Sequence, residues 1–324
     1  MKKIKVGIVG GAGYTAGELL RILIYHPEVE IVFVNSSSNA GNPLAEVHSG
    51  LIGETDLKFT AELPLQQIDV LFLCTAHGDS KKFLVEHDVP FSMKMIDLST
   101  DFREKRTDHD FVYGLPELNR KEILSAWHVA NPGCFATAIQ LGLLPLAKNG
   151  LLKDEIHVNA ITGSTGAGVK LSSTSHFSWR NNNVSIYKAF THQHLHEINQ
   201  SLHQLQPSFA HAVNFIPVRG NFTRGILAAS YTKCDLTLKE ATEIYREFYS
   251  EAAFTFVVDK NPDLKQVVNT NKALVYLEKH EEKLLVVSVI DNLLKGASGQ
   301  AVQNMNLMFG LEEKIGLQLK AVGF

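Results

Sequence analysis

Cysteine is scarce in this chain, with three residues in 324, Cys74, Cys134 and Cys234. Odd in number, widely spaced and without a Cys-x-x-Cys pair, they argue against a disulfide framework and suit a reducing cytoplasm. Long apolar runs are missing too. No stretch approaches ~18 uninterrupted apolar residues, so no membrane-spanning helix is expected. The opening Met1-Lys2-Lys3-Ile4-Lys5-Val6 carries the charge of a signal peptide. Its apolar stretch breaks at Gly7 and again at Gly10-Gly11-Ala12-Gly13, however, so it reads as a first buried strand. Nor does one sign of charge dominate. The 31 Lys+Arg nearly balance 34 Asp+Glu, for a formal net charge of −3, and no basic run of five or more marks a nucleic-acid footprint. Small molecules remain as the expected partners.

What is present is an ordinary globular composition, 45% hydrophobic and 20% charged, in a chain long enough for two domains. The first 130 residues alternate short apolar runs with helical patterns, as a parallel sheet wrapped by helices requires. Strands are predicted at 4–9, 29–34, 70–74, 93–97 and 127–130. Ala16, Leu20, Leu23 and Ile24 recur at helical spacing between the first two, and His26-Pro27 stops that helix. After Cys134 comes an apolar helix to about Leu146. Alternating, β-branched segments follow at 155–161, 225–232 and 283–289. The fold class is therefore α/β, a Rossmann-type parallel-sheet domain followed by an α+β domain. Ala301, Met305 and Met308 mark a late helix suited to packing back on the first domain.

Four groups of residues carry chemistry. Gly10-Gly11-Ala12-Gly13-Tyr14-Thr15-Ala16-Gly17 lies between a strand and a helix, where glycines let backbone N–H groups approach a pyrophosphate. At the end of the second strand an acidic residue would select NAD. Asn35-Ser36-Ser37-Ser38 stands there instead, and a hydroxyl cluster without a carboxylate tolerates the 2′-phosphate of NADP. In Asn131-Pro132-Gly133-Cys134, Pro and Gly end a strand, and Cys134 opens an apolar helix whose dipole favours a thiolate. Cys74 and Cys234 lack that setting and read as structural. Thr191-His192-Gln193-His194-Leu195-His196-Glu197 supplies groups matched to proton transfer at neutral pH. His192 and His196, four apart, invite a metal reading, but no Cys pair or His-Glu-x-x-His accompanies them, so no metal is expected. Arg219 and Arg224 flank Gly220-Asn221-Phe222-Thr223, and of the two Arg224 is taken as the fork for a carboxylate or phosphate.

Together these residues resemble the N-acyl-γ-glutamyl-phosphate reductases of arginine and ornithine biosynthesis, relatives of aspartate-semialdehyde dehydrogenase. The likeness runs nearly end to end. It takes in Gly13-Tyr14-Thr15, Asp97-Leu98-Ser99-Thr100-Asp101-Phe102-Arg103, Tyr113-Gly114-Leu115-Pro116-Glu117-Leu118 and Asn131-Pro132-Gly133-Cys134. It continues through Gly163-Ser164-Thr165-Gly166-Ala167-Gly168, His192-x-His194-x-x-Glu197-Ile198, Thr223-Arg224-Gly225 and Asp291-Asn292-Leu293-Leu294-Lys295-Gly296-Ala297. The resemblance implies a cofactor domain of residues 1–132 and 302–324, a catalytic domain of 133–301, and a homo-oligomer, dimer or tetramer. It also implies Cys134 as nucleophile, with His192 or His194 as acid–base group. Ser164 and Gly166 would line the substrate site, Arg224 would hold a carboxylate, and His77, Gly78 and Asn292 would lie near the cofactor, alongside Gly10, Gly13, Tyr14, Thr15 and Ser36–Ser38. The implied reaction is NADPH-dependent reduction of an N-acetyl or N-succinyl γ-glutamyl phosphate to the 5-semialdehyde, releasing inorganic phosphate.

This sequence departs from the family's pattern in places. Ser37 and Asn42 stand where Arg and Lys are common, and Phe135-Ala136 replaces Tyr-Pro after the cysteine. Three other readings compete: a reductase of a different acyl phosphate such as aspartate-semialdehyde dehydrogenase, a thiol hydrolase using Cys134 and His194, and an NADP-binding redox sensor without turnover. The glycine-rich turn speaks against the hydrolase. A sensor has no need of a dipole-activated thiol beside histidines.

Overall fold

The computed structural model describes residues 2–90 and 92–323. Met1, Phe91 and Phe324, which the expected cofactor domain included, lie outside the described residues. The chain divides into two compact units. The first joins Met1–Pro132 to Ala297–Gln318, and the second joins Gly133–Gly296 to the tail from Leu319. The return to the first unit thus begins at Ala297 rather than at 302. Asn131 Nδ2 donates to the Ala297 carbonyl (3.0 Å) and Ser298 Oγ to that of Thr15 (2.7 Å), anchoring the segment early. The tail from Leu319, expected in the first domain, groups with the second, where Asn269 Nδ2 donates to Lys320 O (3.1 Å).

The first unit holds strands β1 (Ile4–Val9), β2 (Val29–Asn35), β3 (Phe59–Thr60), β4 (Val70–Leu73), β5 (Lys94–Asp97), β6 (Val112–Tyr113) and β7 (His128–Ala130). They pair in the order β3-β2-β1-β4-β5-β7-β6, every pair parallel. Strands covered on both faces must be apolar throughout, and β4 is buried at all four residues. The helices are α1 (Tyr14–Leu23), the single turn α2 (Leu44–Val47), α3 (Asp79–Glu86) and α4 (Pro116–Ser125), with α9 (Gly299–Met308) returning late to pack on α1 and α4. Strand order reverses between β1 and β4, and an open α/β sheet binds its ligands beyond the strand C-termini at such a switch point.

The second unit opens with α5 (Cys134–Lys148) and carries β8 (Ile156–Thr162), the single turn α6 (Phe177–Arg180), β9 (Ser185–Ile186), α7 (His194–Leu205), β10 (Val213–Arg219), β11 (Ile226–Lys233), α8 (Leu238–Phe248), β12 (Thr255–Val257), β13 (Ala273–His280) and β14 (Lys283–Ile290). Its sheet runs β12-β13-β14-β11-β8-β10-β9, parallel only at β8–β10 and β12–β13. Strand β8 alternates buried positions with half-buried or exposed ones, and α5 packs on the same sheet at β11, β14 and β13. Thirteen of the fifteen residues of α5 are buried. It runs through Pro145 to Lys148, past the end expected near Leu146. Proline has no N–H for the carbonyl four residues back, Leu141. Tyr249, just past α8, supplies that donor from outside, its Oη 2.5 Å from Leu141 O, while Tyr245 Oη stands 2.5 Å from Gly142 O.

Candidate active site

In the first unit the turn after β1 is built by crowding. Gly10 has φ +80°, and a Cβ there would lie 2.5 Å from the Cys74 carbonyl oxygen. Gly11 is pressed on Val34, its N–H donating to Asn35 O (2.8 Å), and His48 Nε2 donates to Gly11 O (2.7 Å). The turn is therefore held closed from three sides. Gly13 caps α1 and leaves the helix N-terminus open, with Tyr14 41% exposed beside it. Thr15 hydrogen-bonds the Cys74 thiol, whose pKa burial pushes up to about 12, so Cys74 is inert at neutral pH. At the end of β2, Asn39 Nδ2 donates to Ser36 Oγ (2.9 Å) and Ser38 Oγ (3.1 Å), with Ser37 between them in a tight turn. Their hydroxyl protons remain available to a ligand. His77 and Gly78 follow β4, exposed. His77 Nδ1 accepts from Thr100 N (3.2 Å), and Asp101 accepts from Gly78 N (2.7 Å) and Lys81 N (3.0 Å), capping α3.

In the second unit Cys134 is the first residue of α5, partly exposed. Glu197 on α7 is buried, and its Oε2 accepts the N–H of Gly133 (2.9 Å), fixing the backbone just before the thiol. Its other oxygen lies 3.9 Å from His194 Nε2. His192 and His194 are both buried, their ring centroids 4.7 Å apart and both packed edge-on against Phe135, the residue after the cysteine. His192 Nδ1 accepts from His194 N (3.3 Å), which puts the proton of its neutral form on Nε2. Burial, then the charges of Lys188 and Arg219, lower the His192 pKa to about 4. His192 is thus a neutral donor at physiological pH, whereas an imidazolium formed on His194 faces the Glu197 carboxylate. Helix α7 starts at His194, so His192 precedes it and His196 is exposed on it.

The remaining expected residues lie in two loops zipped together. Gly163 N, Ser164 N and Thr165 N donate to the carbonyls of Gly225, Phe222 and Thr223, and a Cβ on Gly163 would sit 2.4 Å from Thr223 O. Asn292 completes the zipper. Its Oδ1 accepts from Gly225 N (2.7 Å) and its Nδ2 donates to Thr165 Oγ1 (3.0 Å), so the side chain expected by the cofactor is engaged inside the second unit. Gly166 is exposed, with room around it. Arg224 forms a fork with buried Asp291, Nε to Oδ2 at 3.0 Å and Nη2 to Oδ1 at 3.1 Å. Asp291 also accepts from Asn269 N and Leu293 N. Gly296, at the end of this segment, lies against the thiol residue, and a Cβ there would be 2.8 Å from Cys134 Cβ.

Comparison with known proteins decides between the reductases sharing this arrangement. Residues 5–126 match the family described as semialdehyde dehydrogenase, NAD binding domain, and 134–292 match its dimerisation domain. An N-acetyl-gamma-glutamyl-phosphate reductase of Parabacteroides distasonis is 67% identical over 321 residues, 99% of this chain and 100% of that one. The chain belongs to the N-acetyl-gamma-glutamyl-phosphate reductase family. A member from Flavobacterium johnsoniae is 57% identical over 325 residues, covering 99% of this chain and 100% of its own. Solved structures share the fold at low identity. Aspartate semialdehyde dehydrogenase II of Vibrio cholerae matches with TM-score 0.73 at 16% identity, covering 95% of this chain and 99% of that one. The Candida albicans enzyme solved with NADP matches with TM-score 0.71 at 14% identity, covering 97% and 100%.

As an N-acetyl-gamma-glutamyl-phosphate reductase family member, the chain is an oxidoreductase with an NAD(P)-binding domain. Several residues around its thiol escape sequence reasoning. Tyr187 feels the charge of Cys134 and is driven well above the usual phenol range, chiefly by burial. In the first unit, Asn39 and Asp101 meet their partners across turns, Asn39 the hydroxyls of Ser36 and Ser38, Asp101 the N–H groups of Gly78 and Lys81. Glu197 was visible as part of a motif, but nothing in the spacing shows that its carboxylate reaches Gly133.

Proposed function

We propose that this protein reduces an N-acyl-γ-glutamyl phosphate with NADPH, through a thioester on Cys134, to give the N-acyl-glutamate 5-semialdehyde and inorganic phosphate. One observation carries the reading. A partly exposed cysteine opens a buried helix, its preceding N–H held by Glu197 and its next residue packed on two imidazoles. Cys134 Sγ attacks the acyl carbon, the bond to the phosphate oxygen breaks, and phosphate leaves. When bound, NADPH supplies the hydride that reduces the thioester carbonyl. The oxyanion then formed on the substrate is met by N–H groups of the first turn of α5. The oxyanion re-forms the carbonyl as the C–S bond breaks, and His194 gives its proton to the departing Cys134 sulfur, with Glu197 facing the ring. His192, neutral, donates from Nε2. Ser164 and Gly166 line the substrate site, with Arg224 presented from its brace on Asp291, and Asn292 acts by holding these loops.

The cofactor reading is supported by the Gly10–Gly13 turn, which a side chain at Gly10 would block, and by a β2 end bearing Ser36, Ser37 and Ser38 in place of a carboxylate. Homo-oligomerisation is supported by apolar side chains left uncovered on the second unit, Leu171 at 94%, Phe177 at 76% and Ile186 at 62% exposure among them. A cytoplasmic setting is supported by the three cysteines, none of them in a disulfide. Among the described residues no helix is long and apolar enough to cross a membrane.

The test is reduction of NADP⁺ by purified protein given N-acetyl-glutamate 5-semialdehyde, with and without phosphate or arsenate. Phosphate-dependent turnover that vanishes in Cys134→Ser, while NADP⁺ binding persists, is expected. Turnover retained in Cys134→Ser refutes the thioester route.

A further inference from the structure

The eight arginines of this chain divide sharply by partner. Arg21, Arg106, Arg120, Arg224 and Arg246 each pair with a carboxylate, and Arg103 donates to the carbonyls of Asn131 and Leu98. Arg180 and Arg219 have no such partner among the described residues. Arg219 lies flat on Tyr187, its guanidinium carbon 3.7 Å from the ring centroid, which fixes the group while leaving its N–H edge unspent. Arg180, at the end of α6, presents a buried Nε with no hydrogen-bond acceptor. Burial and the nearby charge of Arg219 both disfavour its cation. Two guanidiniums held near each other and partly out of water, with Lys188 also close to His192, cost free energy that the Tyr187 ring offsets only in part and no carboxylate among the described residues meets. Such an arrangement is what an absent anion would stabilise. Its position is set by Tyr187, which feels both arginines and the charge of Cys134.

The geometry points to an oxyanion-binding subsite formed by Arg180 and Arg219 on the Tyr187 platform, taking a carboxylate or phosphate group of the substrate beside the nucleophile. This rests on Cys134 being that nucleophile. It is separate from Arg224, whose fork is gripped by Asp291. An N-acyl-γ-glutamyl phosphate offers an α-carboxylate and a phosphate, and an N-succinyl chain adds a further carboxylate, so the source of the oxyanion is a matter for experiment.

Arg180→Gln, Arg219→Gln and Arg219→Lys are compared with wild type in phosphate-dependent NADP⁺ reduction, varying in turn phosphate, the N-acetyl aldehyde and the N-succinyl aldehyde. The expected result is a KM raised tenfold or more for the ligand whose oxyanion is held, with kcat and NADP⁺ affinity changed far less and Arg219→Lys recovering part of the loss. A rise for phosphate alone assigns the leaving group. A rise for both aldehydes assigns the α-carboxylate, and one for the succinyl aldehyde alone assigns the acyl chain. All three KM values within twofold of wild type in both Gln variants overturn the proposal. Calorimetric binding of inorganic phosphate, N-acetyl-glutamate and N-succinyl-glutamate, lost in Arg180→Gln/Arg219→Gln, reads the subsite without turnover. If wild type shows no turnover yet that binding holds, the reductase reading falls and the subsite stands. If neither Gln change weakens any of the three ligands, the subsite falls.

Discussion

Replacing Gly296 by alanine should cripple the thiol without unfolding the protein. The added carbon would stand 2.8 Å from Cys134 Cβ, 3.2 Å from its Cα and 3.3 Å from Asp291 O. Carbon pairs pack at ~3.5–4.0 Å, so the two segments must separate by ~0.7–1.2 Å. Neither side yields readily. Cys134 is held by the Glu197 bond to Gly133 N and by Thr137 N to Gly133 O, and Gly296 N donates to Asp291 O (2.9 Å). Overpacking of this kind costs ~1–3 kcal/mol, and a misplacement of ~1 Å at a reacting group costs ~100-fold in rate. Gly296→Ala should therefore lose ~100-fold in kcat, with KM for phosphate near wild type, a native far-UV spectrum and altered alkylation of Cys134 by iodoacetamide. A folded Gly296→Ala protein with kcat within threefold of wild type would refute the reasoning.

Three further outcomes follow from the same geometry. Tyr249→Phe should lower stability by ~1–3 kcal/mol in urea unfolding, because it strips the donor from the Leu141 carbonyl that Pro145 cannot serve; an unchanged midpoint contradicts the repair role. His192 should stay neutral until about pH 4, against 6.5 for a free imidazole, so the unfolded chain binds more protons between these values. Its contribution to stability is then lost as pH falls from 6.5 toward 4, and an NMR titration centred near 6.5 would oppose the assignment. Gly10→Ala should abolish NADP⁺ binding measured by fluorescence, since φ +80° and a 2.5 Å approach to Cys74 O both exclude a side chain; retained affinity would count against the cradle.

The first unit was largely legible because burial on both faces makes a central strand an uninterrupted apolar run, as in β4, and because glycine marks the turn that follows β1. Two-residue strands such as β3 and β6 leave no periodicity to find. In the second unit β8, β11 and β14 showed through alternation, whereas β10 and β13 were not singled out. Helix α5 was legible past Pro145 to about Leu146, two residues short of its end at Lys148, but the hydroxyl that serves the Leu141 carbonyl comes from about a hundred residues away, a tertiary effect no local pattern records. For the same reason His192 and His194, equally buried, looked alike until Lys188 and Arg219 near the one and Glu197 beside the other distinguished them. Arg219 had been weighed only against Arg224, and Arg180 carried no signal at all. Their kinship lies in what they do not pair with, which only three dimensions reveal.

The hydrogen bond from Gly133 to Glu197 has a stereochemical consequence. With that N–H spent, the donors that receive a developing oxyanion must come from the helix itself, and those vectors all run roughly along the α5 axis. Oxygen is thereby drawn to one side of the sulfur, leaving one face of the trigonal carbon for the incoming hydride. A single carboxylate on a neighbouring helix, touching no reacting atom, would then set the handedness of the tetrahedral carbon that forms on the sulfur before the aldehyde leaves.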